Sequence, residues 1–278
     1  MIDRAHEAGE DVGRTPPRIL IMDIERAPML SYLWSFWQNG VSPDFQERPA
    51  YILSWAAKWL GETEVMSDAL CYDKDYTPGK EDDSRMLEGM WNLLDACDFV
   101  VAHNGDNFDI KILNTAFLLN GMRPPSPYKT IDTLKIVKRT FKFDSNKLEY
   151  LLQTVFGYGK EDSGGFKTWR GCMQGDMDAW RTMIKYNEAD VTRLEELYLE
   201  IRAWDRLHPS AATWGGASEV PTCTVCSSED VEPTKKTVST GASVFPVWRC
   251  NECGHNMRGR TSLLTPKQKG ALLLNSPN

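Results

Sequence analysis

Residues Arg18–Glu25 read RILIMDIE, and this run decides the fold. It follows the Pro16-Pro17 pair, and Ile19 to Met22 is unbroken apolar sequence, the composition of a buried strand. The strand ends in two carboxylates, Asp23 and Glu25, at positions i and i+2. On a pleated strand both leave one face of the sheet while Ile24 enters the other. Adjacent carboxylates there are costly unless a cation or solvent offsets their repulsion. Taken alone, Asp-x-Glu marks an exposed strand end more often than a site, because short motifs recur by chance.

Outward from that strand, Tyr51–Leu60 reads as a second one, and the Gly61-Glu62 turn into Thr63–Leu70 predicts a hairpin. Met86, Leu87, Met90, Leu93 and Leu94 give residues 82–97 helical spacing, with Asp82, Asp83 and Ser84 as N-terminal caps. Phe99–Ala102 is a short buried strand. A helix follows over Asn107–Asn120, stopped by Gly121 and Pro124-Pro125. Ser145–Phe156 is predicted as helix, the Gly-rich residues 157–175 as loop, and Asp176–Trp204 as helix open to a break near Tyr186. Strands first, then alternating strand and helix, predict an α/β sheet domain over residues 18–208. Residues 1–17 are expected to be disordered or extended, 209–222 a linker, 223–260 a small module, and 261–278 a flexible tail.

Two further acidic segments stand beside the first. Val100–Asp109, VVAHNGDNFD, runs from strand through an Asn-Gly turn into a helix whose first turn carries Asp109. Helix N-terminal charge explains Asp109 alone, though not the whole Asn104-x-x-x-Phe108-Asp109 string. In Tyr186-Asn187-Glu188-Ala189-Asp190, Tyr186 and Asp190 are i and i+4 and share a helix face. That face borders an apolar stripe of Val191, Leu194, Leu197, Tyr198 and Ile201, so Asp190 is expected to face a site. His103 is read as a hydrogen-bonded structural histidine.

In this order and these settings the three segments, spanning residues 18–204, resemble the DEDD family of RNase H-like 3′–5′ exonucleases, which includes proofreading enzymes. Its motifs are D-x-E, N-x(2–3)-[FY]-D, and Y-x-x-x-D or H-x-x-x-x-D. Tyr186 stands four before Asp190 and position 185 is lysine, not the histidine of H-x-x-x-x-D, so the chain looks like the tyrosine (DEDDy) subtype. The resemblance implies an RNase H-like mixed sheet flanked by helices. It implies two Mg²⁺ or Mn²⁺ ions on Asp23, Glu25, Asp109 and Asp190, with water positioned by Tyr186. Asp132 sits where relatives often carry an Asp-Thr pair and is read as structural. Such a donor set suits hard divalent cations, and two of them can clamp the attacking and leaving oxygens of a phosphodiester. Free tyrosine titrates near pH 10, so Tyr186 is expected to orient water rather than act as a strong base.

Seven cysteines include two C-x-x-C pairs, Cys223/Cys226 and Cys250/Cys253, with 23 residues between them. This spacing around a short β-rich interval predicts a Cys₄ zinc ribbon with structural Zn²⁺, since so small a segment needs a staple. His255 is left out because four sulfurs fill the tetrahedron. Lys235, Lys236, Arg249, Arg258, Arg260, Lys267 and Lys269 are basic, and Phe245 and Trp248 can stack. Nucleic-acid binding, docking onto a DNA polymerase or other replication protein, and a structural cap all remain open for the ribbon.

The net charge of −7 is awkward for a nucleic-acid partner unless bound cations reverse the local field. The basic run Lys129, Lys135, Lys138, Arg139, Lys142 and Lys147 reads equally as a solvated helix face or a phosphate-contacting one. The sequence shows neither an apolar signal centre nor a membrane-length apolar stretch, so a soluble cytoplasmic location is expected, in the host if viral. The expected function is 3′–5′ exonuclease action on DNA or RNA, with a single-stranded 3′ end as partner and proofreading in trans in a phage-like replication system. The alternatives are a non-catalytic nucleic-acid-binding adaptor on a nuclease fold, and an RNA-processing or structure-selective endonuclease.

Overall fold

A computed structural model describes residues 16–37, 39–159, 161–214 and 219–274. Residues 1–15 of the N-terminus expected to be disordered or extended, 215–218 of the expected linker and the last four residues of the expected tail lie outside the described residues. Backbone contacts divide the chain into two compact units, one of them Arg18–Ile201 and the other including everything from Arg202 onward.

In the first unit the elements run β1 (Ile19–Arg26), β2 (Leu30–Ser31), β3 (Gln46–Arg48), β4 (Ile52–Trp59), β5 (Met66–Ala69), α1 (Ser84–Ala96), β6 (Phe99–Ala102), α2 (Asp109–Leu119), β7 (Lys129–Asp132), α3 (Thr133–Thr140), α4 (Leu148–Phe156), α5 (Phe166–Met173) and α6 (Met177–Ile201). The main sheet has the order β5-β4-β1-β6-β7. β4 is antiparallel to both β1 and β5, whereas β1, β6 and β7 are parallel, so the sheet is mixed. It is an RNase H-like arrangement, a mixed sheet flanked by helices, and the hairpin over β4 and β5 is present as expected. β2 and β3 form a separate two-stranded ribbon.

Strand periodicity assigns the two faces. Leu20, Met22 and Ile24 of β1, with Trp55 and Ala57 of β4, pack against Met86, Leu87, Met90 and Leu94 of α1 and Leu113 and Phe117 of α2. The Trp55 indole N–H donates to the Met86 carbonyl at 2.8 Å. The intervening residues of both strands therefore face α6. The register slips where Glu25 pairs with Ser54 and Arg26 with Ile52, leaving Leu53 as an extra residue on β4. Leu53 turns into a second cluster with Cys172, Met173, Trp180 and Met183 of α5 and α6.

Two expectations are corrected. Residues 157–175 are not all loop, because Phe166–Met173 forms α5. The glycine that disguises this helix, Gly171, lies so close to α6 that an added Cβ would approach the Ala179 Cβ at 2.6 Å. Nor is α6 broken near Tyr186; it is continuous for 25 residues. The basic run 129–147 is spread over β7, α3 and the approach to α4, and Lys135 pairs with Asp106.

The second unit holds β8 (Val231–Thr240), β9 (Ser243–Cys250) and β10 (Asn256–Arg258) as an antiparallel sheet of order β10-β9-β8. The short helix α7 (Pro266–Gly270) is started by a capping box at Thr265 and Gln268. Among the described residues, Cys223, Val225 and Cys250 form a small buried cluster of this unit, flanked by Cys226, Val231, Cys253 and Met257. No helix among the described residues is long and apolar enough to cross a membrane.

Lys58 of β4 and Glu195 of α6 form a buried ion pair, with side chains 7% and 11% exposed. Glu195 also accepts the Gly61 N–H at 2.7 Å. Removing one partner strands a buried charge, so Glu195→Ala is expected to cost about 3–5 kcal/mol in urea denaturation. The double change Lys58→Met with Glu195→Leu, which leaves no charge to strand, is expected to recover most of that loss.

Candidate functional site

The face of β1 opposite Leu20, Met22 and Ile24 carries Asp23 and Glu25, both half-buried, toward α6. From α6 comes Asp190, 2% exposed. One carboxylate oxygen from each of Asp23, Glu25 and Asp190 lies within 4.8 Å of the others. Three carboxylates this close repel strongly in a partly desolvated setting. The arrangement has the chemistry of a hard divalent-cation site, since Mg²⁺ and Mn²⁺ favour oxygen donors. These acids therefore can hold a metal.

Asp109 does not join that mutual group. It is the first residue of α2, buried, and its Oδ1 accepts the Ile24 N–H at 3.3 Å, the backbone position between the two β1 acids. Burial raises its pKa to about 6; the Ile24 N–H acts in the opposite direction and the neighbouring Asp132 carboxylate adds to the rise. The turn that delivers Asp109 is tightly specified. Asn104 adopts φ +67°, in the left-handed region where asparagine is tolerated, and its carbonyl receives the N–H groups of Asn107 and Phe108. Any side chain at Gly105 would run into Ala102. Asp132 steadies this turn and caps α3, its Oδ1 accepting from Asn104 N (3.0 Å), Leu134 N (3.0 Å) and Lys135 N (3.3 Å). That is the structural role expected of it. His103 is likewise held, its Nε2–H donating to the Asn146 carbonyl at 3.0 Å while Nδ1 meets Thr133 Oγ1 at 2.9 Å.

Tyr186 shares the unbroken α6 with Asp190, is half-buried, and meets the Trp169 ring edge-on with centroids 6.2 Å apart. Trp169 belongs to α5, inside the Gly-rich stretch whose composition predicts loop.

Sequence reading also passed over Asn187 and Ser54. Asn187 Nδ2 donates to Asp23 Oδ2 at 2.8 Å, and Ser54 Oγ donates to Asn187 Oδ1 at 3.0 Å. The available signal was Ser54 as a hydroxyl inside the otherwise apolar stretch Ile52–Ala57. A second omission is the run after β2, where Tyr32, Trp34, Phe36 and Trp37 are all exposed, Phe36 to 98%. A cavity of about 360 Å³ is lined by Arg26, Pro28, Met29, Gln46, Pro49 and Phe108. Arg26 follows Glu25 directly, and Phe108 directly precedes Asp109.

In the second unit Cys223, Cys226, Cys250 and Cys253 converge within 4.8 Å. Cys223 and Cys253 sulfurs are 3.6 Å apart, as are those of Cys226 and Cys250. That is far longer than a disulfide at about 2.05 Å and near the roughly 3.8 Å between thiolates placed tetrahedrally 2.3 Å from one zinc. Backbone N–H groups of Val225 and Cys253 point at Cys223 and Cys250 sulfurs, at 3.4 and 3.5 Å. Hydrogen bonds from Cys226 and Cys253 hold the Cys223 thiol well below its ordinary range, and the same contacts push Cys253 up. The four sulfurs thus can form a zinc site. His255 is engaged elsewhere, donating from Nδ1 to the Ala203 carbonyl at 2.7 Å.

A mixed sheet flanked by helices, with acids gathered between its central strand and a late helix, defines an RNase H-like nuclease fold. Residues 59–202 match the family model described as the RNase_H superfamily, just over half of the 278-residue chain, and the chain belongs to that superfamily. The matched span includes Asp109, Tyr186 and Asp190 and begins after Asp23 and Glu25. Among solved structures, the family B DNA polymerase from the hyperthermophilic archaeon Pyrobaculum calidifontis is similar with a TM-score of 0.47 and 13% identity, over 68% of this chain and 26% of that one. The chain thus spans about a quarter of that polymerase's length. No curated protein sequence matches.

The buried Asp109 carboxylate makes a stability prediction. Its raised pKa means that ionisation weakens the fold as pH rises through about 6, a penalty absent below the ordinary carboxylate range near 4. In metal-free buffer at pH 8, Asp109→Asn is expected to raise Tm by roughly 3–6 °C. At pH 4 the two melting curves should coincide.

Proposed function

We propose that the protein is a metal-dependent 3′–5′ exonuclease of the tyrosine subtype, acting on DNA or RNA from a single-stranded 3′ end. The observation that carries this is the convergence of Asp23, Glu25 and Asp190 within 4.8 Å on the β1–α6 face of an RNase H-like sheet. Asp23, Glu25, Asp109 and Asp190 would hold two Mg²⁺ or Mn²⁺ ions, which supply charge neutralisation at the phosphorus and a more acidic water. Asp109, anchored on the Ile24 N–H, completes the set from the neighbouring strand–helix junction. Tyr186, braced by Trp169, orients the attacking water through its hydroxyl. The exposed rings of Tyr32, Trp34, Phe36 and Trp37 offer stacking surfaces for unpaired bases, which supports a single-stranded substrate.

In this reading residues 18–208 are the catalytic domain, 209–222 a linker and 223–260 a ribbon built on structural Zn²⁺. The ribbon contacts nucleic acid or a DNA polymerase, so that the chain proofreads in trans within a phage-like replication system. Arg258 stacked on Phe245, 4.4 Å from the ring centroid, makes a cationic aromatic surface suited to either.

Oligonucleotides labelled at the 5′ end and incubated with Mg²⁺ or Mn²⁺ are expected to give a ladder that shortens from the 3′ end. Asp23→Ala and Asp190→Ala are expected to reduce the rate by about 10³-fold or more, and Tyr186→Phe by roughly 10–100-fold. Internal cuts would make the enzyme an endonuclease, and binding without cleavage would make it an adaptor. Elemental analysis is expected to find about one zinc per chain. Cys223→Ser should lose that zinc and open residues 223–258 to protease.

A further inference from the structure

We infer that Asn187 is a positioning residue for the acidic site, an amide bridge from Ser54 that sets the orientation of the Asp23 carboxylate for a divalent cation. The inference rests on the metal-site reading above and goes beyond it, because Asn187 occupies an unspecified position of the Tyr186-x-x-x-Asp190 segment and is not one of its acids.

Three elements meet at this bridge. Ser54 of β4 lies opposite Glu25 of β1 in the sheet register, so its hydroxyl emerges on the same face as the acids. Asn187 stands three residues before Asp190 on α6, so one helix face delivers both an acid and the amide beside it. Asn187 and Ser54 are each 1% exposed. Water is therefore a poor substitute for either partner.

The direction of the amide follows from its neighbours. Nδ2 faces Asp23 Oδ2 at 2.8 Å and Oδ1 faces the Ser54 hydroxyl at 3.0 Å. Turned over, Oδ1 would confront a carboxylate oxygen, acceptor against acceptor. The Ser54 hydroxyl, donating to Oδ1, thus locks the donor toward Asp23. A neutral donor matters here. Lysine or arginine would hold Asp23 as well but would cancel the negative charge that a cation needs. An amide fixes the plane of the carboxylate and leaves its charge intact. It also lowers the side-chain entropy that Asp23 would lose on binding a cation.

A purely structural Asn187 would affect only folding. The discriminating measurement is Mn²⁺ affinity, read from the electron paramagnetic resonance signal of free Mn²⁺ titrated with the full chain, alongside thermal melts. Asn187→Ala is expected to weaken Mn²⁺ binding about 10–100-fold. Ser54→Ala is expected to weaken it by a smaller factor, and Ser54→Thr, which keeps the hydroxyl, to bind like wild type. Wild-type affinity in Asn187→Ala, even with a lowered Tm, would overturn the inference while leaving the acidic site standing. If Asn187→Ala does not fold, the Ser54 pair decides, and equal affinity in Ser54→Ala and wild type overturns it. Mn²⁺ binding in wild type that Asp190→Ala leaves unchanged would overturn the metal-site reading, and the inference with it.

Discussion

Electrostatic repulsion among Asp23, Glu25 and Asp190 is the constraint around which the first unit is organised. Like charges held within 4.8 Å stay together only when strong packing fixes their backbones. That packing comes from both sides of the sheet. Leu20, Met22 and Ile24 anchor one face of β1 against α1 and α2, which forces the two β1 acids onto the other. Trp180, Met183, Leu194 and Leu197, all buried, press α6 down and bring Asp190 to meet them. The buried Lys58–Glu195 pair ties β4 to α6 farther along the same helix. Hydrophobic burial here holds charges together that would otherwise separate.

Around the acids the polar groups divide into two kinds. Asp132 accepts from the Asn104 N–H and steadies the turn before α2, and His103 is held by Thr133 and the Asn146 carbonyl. Asp109 stands beside this framework, its carboxylate buried against the backbone that separates Asp23 from Glu25. Its raised pKa records the cost of keeping an acid there.

Much of this was legible in the sequence because the period of two in β1 and the i, i+4 spacing on α6 translate directly into faces. RILIMDIE places Asp23 and Glu25 on one side whatever surrounds it. The hairpin of β4 and β5, α1 and β6 were equally readable from apolar spacing. What escaped depended on tertiary contact. Gly171 looked like loop composition, yet its missing side chain is what lets α5 approach Ala179. Asn187 carried no pattern of its own, since its partners Asp23 and Ser54 lie more than 130 residues away in the chain. The β-bulge at Leu53 was hidden for the same reason, because a slip in register is a property of two strands rather than one.

The distance along the chain between Asp23 and Asn187, 164 residues, has a consequence for synthesis on the ribosome. The β1 acids emerge early, but the helix that supplies Asp190 and the amide is among the last parts of the unit to be translated. The acidic cluster therefore cannot assemble before α6 has been made. Contacts of such long sequence separation form slowly, because most of the loop entropy is lost before they are gained. The nascent chain thus holds no assembled acidic cluster through most of its elongation, and closure of α6 both completes folding and creates the site.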